Sequence, residues 1–212
     1  MLINGRLKTR GDTLIEVLFA ITIFSLVAVG SLAIMNQGSD TAQRALEITL
    51  VRNEVDAQAE TLRFLNSSFI AAYQSGGATY PGTTPAGQWQ LMENSIIATG
   101  NSQASPFGNI TTCPAPPAGS FILNTHNATF IAPSDGKLSL AQSFAQVAYD
   151  GGGQVTMAYG IWVEAVRSAT VAGNNQANAG YIDFNIRACW DSPGQSVPVT
   201  IGTIVRLYEP RG

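Results

Sequence analysis

Arg10-Gly11-Asp12-Thr13-Leu14-Ile15-Glu16-Val17 decides how this chain is read. A basic leader holding Arg6, Lys8 and Arg10 ends at Gly11, and the apolar run that follows carries one carboxylate, Glu16. The run continues from Leu18 to Met35 without another charge. That is about the 20 apolar residues a bilayer-spanning helix needs. A carboxylate costs about 2.5–3.5 kcal/mol at the centre of a bilayer and less towards its interface, so Glu16 requires a partner or a purpose. Short flanks rich in Lys and Arg stay in the cytoplasm, so a single-pass anchor is expected, with everything after Met35 outside.

Gly11-Asp12-Thr13-Leu14-Ile15-Glu16 resembles the cleavage and methylation motif of type IV pilins and pseudopilins. The resemblance is specific over residues 5–35 and architectural beyond them. It implies that a prepilin peptidase cuts after Gly11 and N-methylates Asp12. It also implies that Glu16, fifth residue from the cut, pairs with the new amine of a neighbouring subunit. The other partners it implies are further pilin subunits, an inner-membrane assembly platform and, before assembly, membrane lipid. The destination is an extracellular filament. The family usually has Phe or Met after the cut, and its major subunits often carry a proline early in the mature helix. Here Asp12 follows the cut and no proline occurs between Met1 and Ala72, and both features lean towards a minor pilin or a pseudopilin. Two plainer readings stay open. Ser31-Leu32-Ala33 has the small-residue spacing an ordinary signal peptidase accepts, which would make residues 1–33 a discarded signal. Alternatively, Glu16 sits near the interface of a simple anchor helix.

A chain of 212 residues accommodates one globular domain besides this segment. Without the leader it holds 8 Lys and Arg against 14 Asp and Glu, a formal charge of −6. Direct nucleic-acid binding is therefore not expected. Outside the cytoplasm the two cysteines, Cys113 and Cys189, can form a disulfide. Spacing alone does not show that they meet, and two buried thiols are the alternative.

Four segments are expected: a leader (1–11), a transmembrane or filament-core helix (12–35), its amphipathic continuation (36–73) and a β-rich head (74–212). Ile48, Val51, Val55, Ala59, Leu62, Leu65, Phe69 and Tyr73 recur at helical steps, while Glu47, Glu54, Asp56, Glu60 and Arg63 fall largely elsewhere on the wheel. Gly38-Ser39-Asp40 is a candidate bend, with Ser39 or Asp40 capping a restarted helix. Residues 74–88, rich in Gly, Pro and Thr, read as an exposed connection. Residues 89–98 read as a short helix ended at Gly100-Asn101. Residues 105–119 hold Cys113-Pro114-Ala115-Pro116-Pro117 and are excluded from a central strand. Strand signals lie at 121–123 and 129–131 around a turn at 124–127, then at 155–166, 181–190 and 201–208, with a loop over 172–180. In the 181–190 stretch, Ile182, Phe184, Ile186 and Ala188 alternate with Tyr181, Asp183, Asn185 and Arg187, as in a half-buried ladder. The expected class is α+β, a long N-terminal helix packed on a C-terminal antiparallel sheet.

Little points to chemistry. His126 is the only histidine and lies in a polar turn without a neighbouring carboxylate in sequence. Gly151-Gly152-Gly153 lacks the Lys-Ser/Thr of a phosphate loop and reads as a hairpin turn after Asp150. Asp135-Gly136 and Asp150-Gly151 do not match a calcium-loop spacing. No catalytic residue, metal or cofactor is expected, and the chain is not read as an enzyme. The rival to a filament subunit is a membrane-anchored or secreted binding or adhesion module that does not polymerise, suggested by the loops at 74–88 and 172–180.

Overall fold

The computed structural model describes residues 12–76, 80–99, 104–107, 110–168 and 180–209. Among these residues two α-helices, α1 (Asp12–Gln74) and α2 (Pro85–Thr99), precede eight strands. The strands are β1 (Ile122–Asn124), β2 (Thr129–Ile131), β3 (Leu138–Ser139), β4 (Gln146–Tyr149), β5 (Val155–Tyr159), β6 (Ile161–Arg167), β7 (Tyr181–Trp190) and β8 (Val199–Tyr208). The chain divides into two compact units, Met1–Ala45 and Leu46–Gly212. The class is α+β, a long N-terminal helix followed by largely antiparallel sheets.

In the first unit α1 is uninterrupted through Gly38-Ser39-Asp40, so Ser39 and Asp40 cap no restarted helix. One internal glycine costs about 1 kcal/mol, too little to break a long helix. Thr41 donates its hydroxyl back to the carbonyls of Gln37 and Gly38, at 3.1 and 2.9 Å.

The second unit is organised by the apolar stripe of α1. Val51, Val55, Ala59, Leu62, Leu65 and Phe69 are buried with Trp89, Met92 and Ile96 of α2 and with Phe121, Ile161, Phe184 and Ile186. Tyr73, at the end of the stripe, is exposed. Helix α2 starts earlier than expected, inside the supposed connection. The Thr84 hydroxyl accepts from the Gly87 N–H at 3.2 Å, and Pro85 occupies the first turn, where its missing N–H costs nothing. A Cβ on Gly87 would stand 1.9 Å from the Pro81 carbonyl oxygen, so only glycine fits there. The expected terminator, Gly100-Asn101, lies outside the described residues.

Residues 155–166 are two strands, not one. At Gly160 the backbone turns into the left-handed region (φ 63°), and a Cβ would meet the Cys189 carbonyl oxygen at 2.5 Å. The break sends β5 into a small sheet ordered β3-β5-β4 and β6 into an antiparallel meander ordered β6-β7-β8. The two-residue β3–β5 pairing is parallel, a local departure from the antiparallel plan. Between β4 and β5, Asp150 accepts from the N–H groups of Gly152 and Gln154, and Gly153 takes a positive φ, so the glycine run is a turn.

The β1–β2 ribbon pairs antiparallel, and two glutamine side chains close its edges. The N–H and C=O of Leu123 go to the amide of Gln58 on α1, at 3.0 and 2.9 Å. The N–H of Phe130 donates to Gln88 of α2 at 2.8 Å. Each carboxamide supplies what an adjacent strand would otherwise provide, which suits a ribbon too small to stand alone.

Candidate functional site

The first candidate site is the N-terminal half of α1. From Leu14 to Gln43 every residue is exposed except half-buried Ala28, and large side chains such as Phe19, Phe24 and Leu26 are more than half accessible. The segment contains a window of mean hydropathy 2.5, long and apolar enough to cross a membrane. The hydroxyls of its apolar run are satisfied within the helix: Thr22, Ser25 and Ser31 each donate at 2.8 Å to the carbonyls of Phe19, Ile21 and Val27. Hydroxyls so bonded cost little in an apolar setting. Glu16 differs, being exposed and without a hydrogen bond or ion pair among the described residues. Asp12 begins α1, and Gly11 lies outside the described residues.

The second is the outer face of the β6–β7–β8 sheet. The alternation expected along β7 holds only at its start, because from Phe184 to Trp190 both faces are buried. Residues 104–107 contribute to the cover. Ser105 donates its N–H to Glu164 at 2.8 Å and accepts from Arg187 at 2.5 Å. Glu164 also accepts from the Trp162 indole at 2.9 Å and pairs with Arg187 at 3.1 Å. Phe107 lies under the Arg187 guanidinium, 4.9 Å from its carbon, and edge-on to Trp162. Cys113 is disulfide-bonded to Cys189, with a Cα separation of 5.6 Å. Glu164 and Arg187 are buried as an ion pair whose members also hydrogen-bond to Ser105 and Trp162, the form in which buried charge is tolerated.

Several polar residues that bind the second unit together were not visible in the sequence. Glu47 is buried, where the helical wheel had placed it outside. Its carboxylate accepts from the Trp190 indole at 3.1 Å and the Ser192 hydroxyl at 2.7 Å. Asn66 donates to the Tyr208 carbonyl at 3.3 Å. Arg167 joins Glu93 of α2 to Glu209 beyond β8, at 3.4 and 2.6 Å. Burial and the facing Glu209 raise the Glu93 pKa, against the pull of Arg167. Burial also raises Glu54, opposed by a hydrogen bond from Gln58. The signal available for Glu47, Gln58 and Asn66 was their place beside the apolar stripe, which periodicity treats as noise.

His126 stacks on Tyr149 with ring centroids 4.0 Å apart and occupies the β1–β2 turn. No group of three or more potential metal ligands occurs among the described residues. The loop expected at 172–180 lies outside them but for Gly180.

No curated protein and no solved structure matches this chain. Residues 6–32 match the family profile described as the prokaryotic N-terminal methylation motif. That match spans Arg6 to Arg10 of the basic leader, Gly11, Glu16 and most of the exposed apolar helix, so the likeness to N-terminally methylated precursors is confined to this N-terminal segment.

Proposed function

We propose that this chain is a minor pilin or pseudopilin, a structural subunit of a type IV pilus-like filament. The precursor inserts with its basic leader in the cytoplasm. A prepilin peptidase cuts after Gly11 and methylates the Asp12 amine, and the mature chain enters the filament through the N-terminal half of α1. The observation that carries this reading is the methylation motif at residues 6–32 running into a helix whose apolar side chains are exposed on all sides. Such a helix is unstable in water and suits lipid or a bundle of like helices.

In that bundle Glu16 meets the amine that cleavage creates on a neighbouring subunit. A carboxylate in a low-dielectric setting is tolerated only when paired, so the pairing would couple processing to assembly. N-terminal sequencing and intact mass of protein from native cells test the first half, with an N-terminus at Asp12 expected. A start at Ile34, or an uncut Met1, would exclude prepilin processing. For the second half, Glu16→Ala is expected to be cleaved normally yet excluded from sheared filaments. Undiminished incorporation would remove the assembly role of Glu16.

A further inference from the structure

A recess of ≈ 540 Å³ opens on the outer face of the β6–β7–β8 sheet beside the edge strand β8, lined by Phe107, Asn185, Arg187, Thr200, Gly202 and Ile204. It exists because Gly202 has no side chain. A Cβ there would stand 3.1 Å from the Ile186 carbonyl oxygen and 3.6 Å from the Phe107 ring. Gly202 is not among the glycines at positive φ, so its backbone does not require glycine. Glycine inside a strand weakens it and often marks a place where another group comes close.

Asn185 adds an independent sign. It is 7% exposed, and its Nδ2 reaches only the Asp183 carbonyl at 3.4 Å, while Oδ1 receives no donor among the described residues. Oδ1 retains solvent contact at the recess that Asn185 lines, so it is free to accept from a bound group. The strand edge supplies more polar groups. The Glu209 N–H bonds the Gly180 carbonyl, and the β7–β8 register runs unbroken from Tyr208 to Val199. Antiparallel pairs alternate, so the N–H and C=O groups of Thr200, Gly202 and Ile204 point away from β7. Among the described residues Arg187 is the only ionisable one in the lining, and its charge is held by Glu164 and the Ser105 carbonyl. The recess therefore offers no free charge to an anion or a cation.

We propose that this recess binds a neutral saccharide. Sugar hydroxyls both donate and accept, which matches outward N–H and C=O groups beside the Asn185 amide and the Thr200 hydroxyl. The C–H face of a pyranose ring suits the Phe107 and Ile204 walls. The volume lies within the range of about 300–1,000 Å³ usual for small-molecule sites. This assignment concerns the second unit alone and holds whether or not the chain polymerises.

The test is saturation-transfer NMR on the full chain in phosphocholine micelles, which carry no sugar. The probes are methyl α-D-glucoside, D-galactose and N-acetyl-D-glucosamine at millimolar concentration. At least one is expected to receive saturation. Its apparent affinity should fall at least tenfold in Gly202→Val, which fills the recess, and in Asn185→Ala. It should also fall in Thr200→Val, an exposed change that leaves the fold intact. Silence from all three sugars would overturn the proposal, as would undiminished binding in a folded Gly202→Val. If the peptide acetyl-Thr-Val-Thr-Val-Thr-amide took up saturation while the sugars did not, the edge would be a strand-docking site and the saccharide assignment would be wrong.

Discussion

Gln58→Ala should cost the second unit about 3–5 kcal/mol, more than most core truncations of similar size. Gln58 is fully buried, and its amide makes both hydrogen bonds of Leu123 that β2 does not. Alanine orphans a backbone N–H and a backbone C=O at once, each costing about 1–3 kcal/mol when buried without a partner. The emptied volume adds a cavity term. Trp89, Trp162 and Trp190 are all buried in this unit, so urea unfolding followed by tryptophan fluorescence reads the loss directly. A loss below about 1 kcal/mol would show that water or a strand shift replaces the amide, and would refute its role as a surrogate strand. Gln58→Glu separates hydrogen bonding from packing. It keeps the shape and the acceptor for the Leu123 N–H, but it can donate to the Leu123 carbonyl only when protonated. Its folded-state pKa should therefore lie above the unfolded value, and the variant should regain stability relative to the native chain as pH falls. A defect independent of pH would point to packing instead.

Two further outcomes follow from groups already described. Replacing both Cys113 and Cys189 by Ala opens a loop with a sequence separation of 76, which the chain-entropy model values at about 4 kcal/mol. Urea midpoints should fall accordingly, reductant should have no further effect on the variant, and unchanged midpoints would sink the argument. Glu54 has a pKa raised by burial. The fold therefore favours its protonated form, a contribution present below the unfolded value near 4.3 and lost as pH rises through the folded value. Glu54→Gln should thus be more stable than the native chain at neutral pH and lose that advantage in acid. Equal gains at pH 4 and pH 7 would contradict the burial argument.

Elements that rest on repeated spacing were legible from sequence, and those that rest on one residue were not. The stripe from Val51 to Phe69 and the strand at 181–190 each repeat a period several times, and the structure keeps both. Gly160, which divides one expected strand into two sheets, is a single glycine between apolar neighbours and leaves the period almost undisturbed. Thr84-Pro85 was a legible helix start, since a capping hydroxyl preceded a first-turn proline. It was hidden by a Gly- and Pro-rich context that also describes loops. The two residues of β3 and the four of β4 lie at or below the shortest run in which alternation can be recognised. The inward turn of Glu47 depended on Trp190 and Ser192, far away in sequence, as did the burial of Arg187 on Glu164 and Ser105. Local pattern contains no information about such partners. At the N-terminus the relevant spacing is local by nature, so the motif over residues 6–32 and the apolar run could be recognised from sequence alone.

The buried polar residues Glu47, Gln58 and Asn66 give the C-terminal half of α1 a mechanical property that its apolar stripe lacks. Apolar surfaces slide past one another with little loss of contact, and a one-turn advance of about 5.4 Å would simply re-register leucines and valines. Three polar groups set eleven and eight residues apart along one helix act as shear keys, each seated in a different part of the sheet region. A slip of one turn would unseat all three together and leave every partner unsatisfied. Under axial tension this unit should therefore yield abruptly, in a single rupture, with no creep beforehand.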